Sequence, residues 1–141
     1  METNIILASH GSMAEGTASA VRMIAGEQPK VRAYGLDTWE TPVSIKAEVE
    51  AFLDTHPDER CVIVCDLKGG SVHNALMELC VRRNVAVICG MNLEIVLSLV
   101  FADDTNADEV RAILEDAKGN IEYFDYESFK NTAGEEVDEL W

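Results

Sequence analysis

A histidine and an aspartate each stand directly after an apolar run in this chain. His10 follows the run Ile5 to Ser9, and Asp66 follows the run Cys61 to Cys65. A neutral imidazole acts as a nucleophile through one ring nitrogen only while its proton stays on the other nitrogen. A carboxylate that accepts this proton fixes the tautomer and stabilises the cation that forms on attack. We therefore predict that Asp66 orients His10 for nucleophilic chemistry.

The turn after the second apolar run has the composition of an anion-binding loop. Gly69 and Gly70 allow backbone N–H groups to approach an anion closely, and Ser71 adds a hydroxyl donor. Ser71 is also the predicted N-cap of a helix, whose positive dipole end favours negative charge. Lys68 either adds a cation at this turn or is a solvated loop residue. Together these groups suit a phosphoryl group carried by His10.

Each of these features has a plainer explanation when it is taken singly. A histidine after a strand is commonly a surface residue, Asp66 could be a loop residue, and the glycine pair could be a tight turn. Their shared position at strand ends favours one common site. His73 is expected to be an exposed helix residue and His56 a loop residue. A metal site built from His10, Asp66 and His73 lacks compact ligand spacing, so we expect neither a metal nor another cofactor.

The elements that must position these groups follow from apolar runs that alternate with helical patterns. The predicted strands are Asn4 to Ser9, Val31 to Gly35, Cys61 to Asp66 and Val85 to Cys89. The predicted helices are Met13 to Ala25, one beginning at Pro42 after the N-cap Thr41, about Val72 to Arg83, Leu93 to Phe101, and one capped by Asn106 or Thr105.

This alternation predicts an α/β fold, a three-layer sandwich around a mainly parallel sheet with right-handed crossovers. In the strand order 2-1-3-4, the first and third strands are neighbours about 4.8 Å apart. The carboxyl ends of these two strands then lie at the same edge of the sheet. His10 and Asp66 are therefore predicted to converge.

Length, charge and cysteine usage restrict the class of protein. The 141 residues suit one domain over 1–141, with an acidic tail from about residue 130 that is expected to be solvated. The net charge of −15 repels nucleic acid and anionic membranes, so we expect no nucleic-acid partner. No signal peptide or apolar run near ~20 residues is evident, which predicts a cytoplasmic protein. Four cysteines without C-x-x-C spacing are predicted to be reduced core thiols: Cys61, Cys65, Cys80 and Cys89.

At these residues the sequence resembles a known family, the IIA component of mannose-type sugar phosphotransferase systems. The resemblance covers roughly Met1 to Ala117, and its matching stretches are Ile5 to Gly11, Val62 to Asn74 and Val87 to Leu97. It implies that His10 accepts a phosphoryl group from the phosphocarrier protein HPr and passes it to a IIB component, which phosphorylates the incoming sugar. The membrane components IIC and IID are then indirect partners.

The resemblance also implies residue roles and an assembly. Asp66 orients the histidine and Ser71 lies beside the phosphoryl group, with three further candidate residues in the matched stretches: Gly11, Lys68 and Asn74. The family fold is completed by a C-terminal strand that is swapped across a homodimer. The mixed polar and aromatic segment Ile121 to Tyr126 is predicted to be this late antiparallel edge strand.

Two alternative functions remain open from the sequence. A regulatory sensor would use the same phosphohistidine to report sugar flux. A strand that runs into His-Gly-Ser also looks like the opening of small tetrapyrrole metal chelatases, although no histidine follows His73 to serve as a second partner. Family members often carry aromatic residues where this chain has Ser12 and Lys68, and the sequence alone specifies neither the IIB partner nor the sugar.

Overall fold

A four-stranded, all-parallel sheet with the strand order β2-β1-β3-β4 forms the centre of the protein, as the sequence predicts. The computed structural model describes residues 3–39 and 41–131. The strands are β1 (Thr3–Ser9), β2 (Val31–Gly35), β3 (Arg60–Cys65) and β4 (Val85–Cys89). The helices are α1 (Met13–Ala25), α2 (Pro42–Asp54), α3 (Ser71–Met77), α4 (Leu93–Phe101) and α5 (Ala107–Gly119), with a 3-10 helix at Glu78–Val81.

The two central strands, β1 and β3, are apolar on both faces because helices cover both sides of the sheet. Successive side chains of a strand point to opposite faces, so Ile5 and Leu7 join one core while Ile6 and Ala8 join the other. Helices α1, α4 and α5 cover the first core, and α2 and α3 cover the second. These layers confirm the predicted three-layer α/β class.

The region after β3 differs from its prediction. Gly70, not Ser71, is the N-cap of α3, and the helix ends at Met77 rather than continuing to Arg83. A 3-10 helix follows, and its tighter winding keeps Leu79 buried on the same side as Leu76.

This winding leaves the next residue, Cys80, exposed, so its prediction as a core thiol is wrong. Cys61 and Cys65 are buried, and burial raises the pKa of both thiols to about 12.

Both predicted helix starts in the polar loops are confirmed. Thr41 and Ser44 form a reciprocal capping box at the start of α2, with a proline at the first helical position. Asn106 caps α5 by accepting the Glu109 N–H at 3.0 Å. The alternative cap, Thr105, is buried instead, and its hydroxyl contacts Thr3 on the first strand.

The predicted late strand is not formed within the single chain. Residues 121–125 have no regular secondary structure, and residues 126–131 are helical. A strand needs a neighbour for its backbone hydrogen bonds, and this segment has none in the described sheet. The swap across a homodimer requires a second chain and stays a prediction. Most of the acidic tail, residues 132–141, lies outside the described residues. Among the helices within 3–39 and 41–131, none combines the length and apolar character that a bilayer span requires.

Gly35 is the point at which the end of β2 touches the loop that follows β1. A Cβ atom at Gly35 would lie 2.3 Å from the carbonyl oxygen of Gly11 and 2.8 Å from Oδ1 of Asp37. We predict that Gly35→Ala lowers the free energy of unfolding in urea by about 1–3 kcal/mol, because backbone must move to make room. Gly16→Ala on α1 is the matched control, because its Cβ meets no atom within 4 Å. A helix favours alanine by about 0.5–1 kcal/mol, so this control should gain stability. Equal effects of the two substitutions would contradict the close approach.

Candidate active site

His10 and Asp66 meet at the carboxyl ends of β1 and β3, as the strand order predicts. The two strands are paired in parallel up to Ala8 and Cys65, so the residues that follow leave the sheet side by side. Nδ1 of His10 lies 2.6 Å from Oδ2 of Asp66, and the His10 backbone N–H donates to the same oxygen at 2.8 Å. One carboxylate oxygen therefore holds both the ring and the backbone of the histidine.

The second carboxylate oxygen of Asp66 fixes the aspartate itself. Oδ1 accepts the Leu67 N–H at 2.9 Å. Partial burial raises the pKa of Asp66, but three hydrogen bonds, from the His10 backbone, the His10 ring and the Leu67 backbone, lower it by more. The net pKa therefore lies below its usual value of 3.8. Asp66 is therefore ionised at neutral pH and acts only as an acceptor.

The ionised carboxylate determines which nitrogen of His10 is available for chemistry. Because Asp66 can only accept, the ring proton of neutral His10 lies on Nδ1, and Nε2 keeps its lone pair. Nε2 lies 3.1 Å from the Ser71 hydroxyl oxygen. The His10 side chain is 47% exposed while that of Asp66 is 8% exposed, so the imidazole is accessible and the carboxylate is shielded.

The glycine loop is arranged differently from the predicted oxyanion cradle. The Gly69 N–H donates to Nδ1 of His73 at 3.1 Å, and the Gly70 N–H donates to the Leu67 carbonyl at 3.2 Å. Both donors are thus used inside the loop, and the anion-holding role of Gly69 and Gly70 stays a prediction. The Asn74 side chain donates to the Gly69 carbonyl at 3.1 Å, which makes it a loop contact.

The remaining predicted residues lie around this loop. Gly11 has a φ of +55°, a left-handed conformation that glycine adopts without strain, and it turns the chain from His10 towards α1. Lys68 is exposed on the turn after Asp66. Within the described residues, no group of three His, Cys, Asp or Glu side chains is arranged to hold a metal ion.

Ser9 is a supporting residue that the sequence reasoning missed. It is fully buried, its hydroxyl accepts the Ala14 N–H at 2.7 Å, and its carbonyl accepts the Leu36 N–H at 3.0 Å. These bonds tie the end of β1 to both α1 and the loop after β2, and so fix the backbone that carries His10. A lone hydroxyl at the end of an apolar run was the available signal.

Comparisons with known proteins give a consistent result. The family model EIIA-man, described as PTS system fructose IIA component, matches residues 4–118. A sorbose-specific EIIA component of the PTS from Klebsiella pneumoniae is 34% identical over 107 residues, which cover 74% of this chain and 78% of the relative. A sorbose-specific EIIA component from Lacticaseibacillus casei is 29% identical over 96 residues, covering 67% of this chain and 70% of the relative.

The solved structures agree with the sequence relatives. The structure of a mannose/sorbose specific IIA subunit of the phosphotransferase system from Enterococcus faecalis superposes with a TM-score of 0.73 at 26% identity. The match covers 89% of this chain and 96% of the Enterococcus chain. The likeness therefore extends over the whole sheet and its flanking helices.

The site geometry predicts opposite tautomers for two neighbouring histidines. Neutral His10 should carry its proton on Nδ1, whereas His73 should carry it on Nε2, because its Nδ1 accepts the Gly69 N–H. Long-range ¹H–¹⁵N NMR spectra of the imidazole rings measure both states in one sample. In Asp66→Ala, the acceptor at Nδ1 is absent, so the His10 proton should no longer be confined to Nδ1 while the His73 pattern is unchanged. An Nε2–H tautomer at His10 of the unaltered protein would contradict this assignment.

Proposed function

The chain belongs to the EIIA-man family of sugar phosphotransferase system IIA components, and from that premise we propose that His10 is the residue that carries the phosphoryl group. Membership confirms the family resemblance seen in the sequence, and it implies phosphoryl transfer in sugar uptake. It gives no support to the alternative of a tetrapyrrole metal chelatase. The observation that carries the proposal is the half-exposed imidazole of His10, whose Nδ1 is bound to Asp66 at 2.6 Å so that Nε2 keeps its lone pair.

The proposed reaction is a reversible displacement at phosphorus. The lone pair of Nε2 attacks the phosphoryl group of phosphorylated HPr, so that an N–P bond forms while the bond to the HPr residue breaks. The ring becomes cationic, and the Asp66 carboxylate stabilises this charge through the Nδ1–H bond, with no proton leaving the ring. The Ser71 hydroxyl, 3.1 Å from Nε2, is placed to donate to a phosphoryl oxygen. Attack by a IIB residue then reverses these steps.

The surface around His10 supports protein partners rather than a small phosphate donor. Met13, which begins α1, and Leu67, which follows Asp66, are large apolar side chains left exposed beside the site. Exposed apolar groups next to a reactive centre are typical of docking surfaces. We assign HPr and a IIB component to this face, with membrane IIC and IID components as indirect partners, and the net charge of −15 favours basic partner surfaces.

A homodimer is the proposed assembly. The segment that follows α5 carries five exposed large apolar side chains: Ile121, Tyr123, Phe124, Tyr126 and Phe129. Residues 121–125 have no regular secondary structure and pair with no described strand, and pairing with the sheet of a second chain would satisfy their backbone and cover these side chains. The exposed apolar side chains and the unpaired backbone of this segment support the homodimer, and the swapped strand is proposed together with it.

Phosphorylation of single-histidine variants tests the site directly. Incubation with radiolabelled phosphoenolpyruvate and the general phosphotransfer proteins should give the unaltered chain an acid-labile, base-stable phosphohistidine. His10→Ala should take up no label because the nucleophilic nitrogen is gone, whereas His56→Ala should be labelled normally. Label retained by His10→Ala would overturn the assignment.

Asp66→Asn should remain phosphorylatable but react more slowly. The substitution removes a charge-assisted bond and the tautomer that it fixes, and a bond of this kind is worth a rate factor of about 10 to 100. Quenched-flow transfer from phosphorylated HPr measures the rate. The matched control is Asp116→Asn on the exposed side of α5, which should react at the unaltered rate. A rate for Asp66→Asn equal to that of the control would contradict the orienting role.

Transport and regulation use the same chemistry at His10, and a genetic readout separates them. If the protein serves transport, a cell without its gene should stop phosphorylating one sugar. If the phosphohistidine instead reports sugar flux to a regulator, uptake should continue and gene expression should change.

A further inference from the structure

The turn between Asp66 and Ser71 links the two side chains that contact the His10 ring. Its residues 67–69 are exposed, and Gly69 has a left-handed φ of +78°. The turn closes through a bond of 3.2 Å from the Gly70 N–H to the Leu67 carbonyl. Because no core packing surrounds this turn, hydrogen bonds must hold its shape.

Two side chains of α3 hold both peptide groups of Gly69. Nδ1 of His73 accepts its N–H at 3.1 Å, and Nδ2 of Asn74 donates to its carbonyl at 3.1 Å. The helix that carries them is fixed in the core by Val72 and Leu76, both fully buried. The exposed turn is thus attached through two side chains to a rigid element.

We propose that His73 is a positioning residue for phosphoryl transfer: by accepting the Gly69 N–H, it holds the turn whose Leu67 N–H fixes Asp66 against the His10 ring. The inference rests on the proposed function of His10. Without this acceptor the Gly69 N–H turns to water and the turn is held by fewer bonds. The Leu67 N–H, which binds Asp66, then loses its fixed position, and Asp66 is held less firmly against the ring.

Substituting His73 by asparagine and by glutamine separates the position of the acceptor atom from the size of the side chain. In asparagine, Oδ1 is two bonds from Cβ, as Nδ1 is in histidine, whereas the acceptor of glutamine is one bond further away. His73→Asn should therefore transfer phosphoryl from phosphorylated HPr within about twofold of the unaltered rate. His73→Gln and His73→Ala should be slower by about 3- to 10-fold, the loss expected for one neutral hydrogen bond.

Two further measurements show whether the decrease in transfer rate is caused by a change in the turn. Amide hydrogen exchange at Gly69 should be faster in His73→Ala and His73→Gln, and unchanged in His73→Asn. The His10 ring should keep its Nδ1–H tautomer in all three variants, because Asp66 is still present. We expect all three variants to unfold at the same urea midpoint as the unaltered protein, because Gly69 is exposed and the buried residues of α3 are unchanged.

Failure of this inference is distinguishable from failure of the proposed function. An unaltered chain that takes up no label at His10 overturns both. Normal labelling of the unaltered chain together with an unchanged rate in His73→Ala overturns only the role of His73. Equal slowing in His73→Asn and His73→Ala also overturns it, because the acceptor atom would then be irrelevant.

Discussion

The bond between Nδ1 of His10 and Asp66 depends on a constraint that lies outside the site, namely the pairing of β1 with β3. Neither residue is in a strand, and 56 positions separate them in sequence. They meet because two strands with apolar residues on both faces are buried side by side in the same direction and end together. Burial of these strands on both faces allows no slip in register without exposing apolar side chains. The geometry of the imidazole is therefore set by the core.

The environment of the two groups differs in the way that a nucleophile and its orienting acceptor require. Asp66 is shielded, which alone would raise its pKa, yet three hydrogen-bond donors face its carboxylate and the net pKa is lowered. His10 is half exposed and can be reached by a large partner. A buried histidine would be equally well oriented but could not exchange a phosphoryl group between proteins.

The sequence predicted the features that depend on burial, and it failed where local hydrogen bonding decides the outcome. Apolar runs were sufficient for the strands and the parallel sheet, and the convergence of His10 with Asp66 followed once the order 2-1-3-4 was adopted. The sequence does not show that the His73 side chain accepts the Gly69 N–H, so the hydrogen bonding of the glycine loop was not predicted. The exposure of Cys80 depends on a change from α to 3-10 winding, and the predicted late strand would need a second chain. Neither feature can be recognised from the periodicity of apolar residues in the sequence.

The engaged glycine loop fits the task of a carrier better than a preformed cradle would. A carrier must receive a phosphoryl group from one protein and release it to another, so tight binding of the phosphorylated state would slow the second step. In this site the donors closest to the loop are already satisfied by His73 and Leu67, and the Ser71 hydroxyl is the side-chain donor at Nε2. In the proposed reaction the ring charge held by Asp66 develops in the transition state of both transfers. The same Asp66 contact would therefore serve both the arrival and the departure of the phosphoryl group.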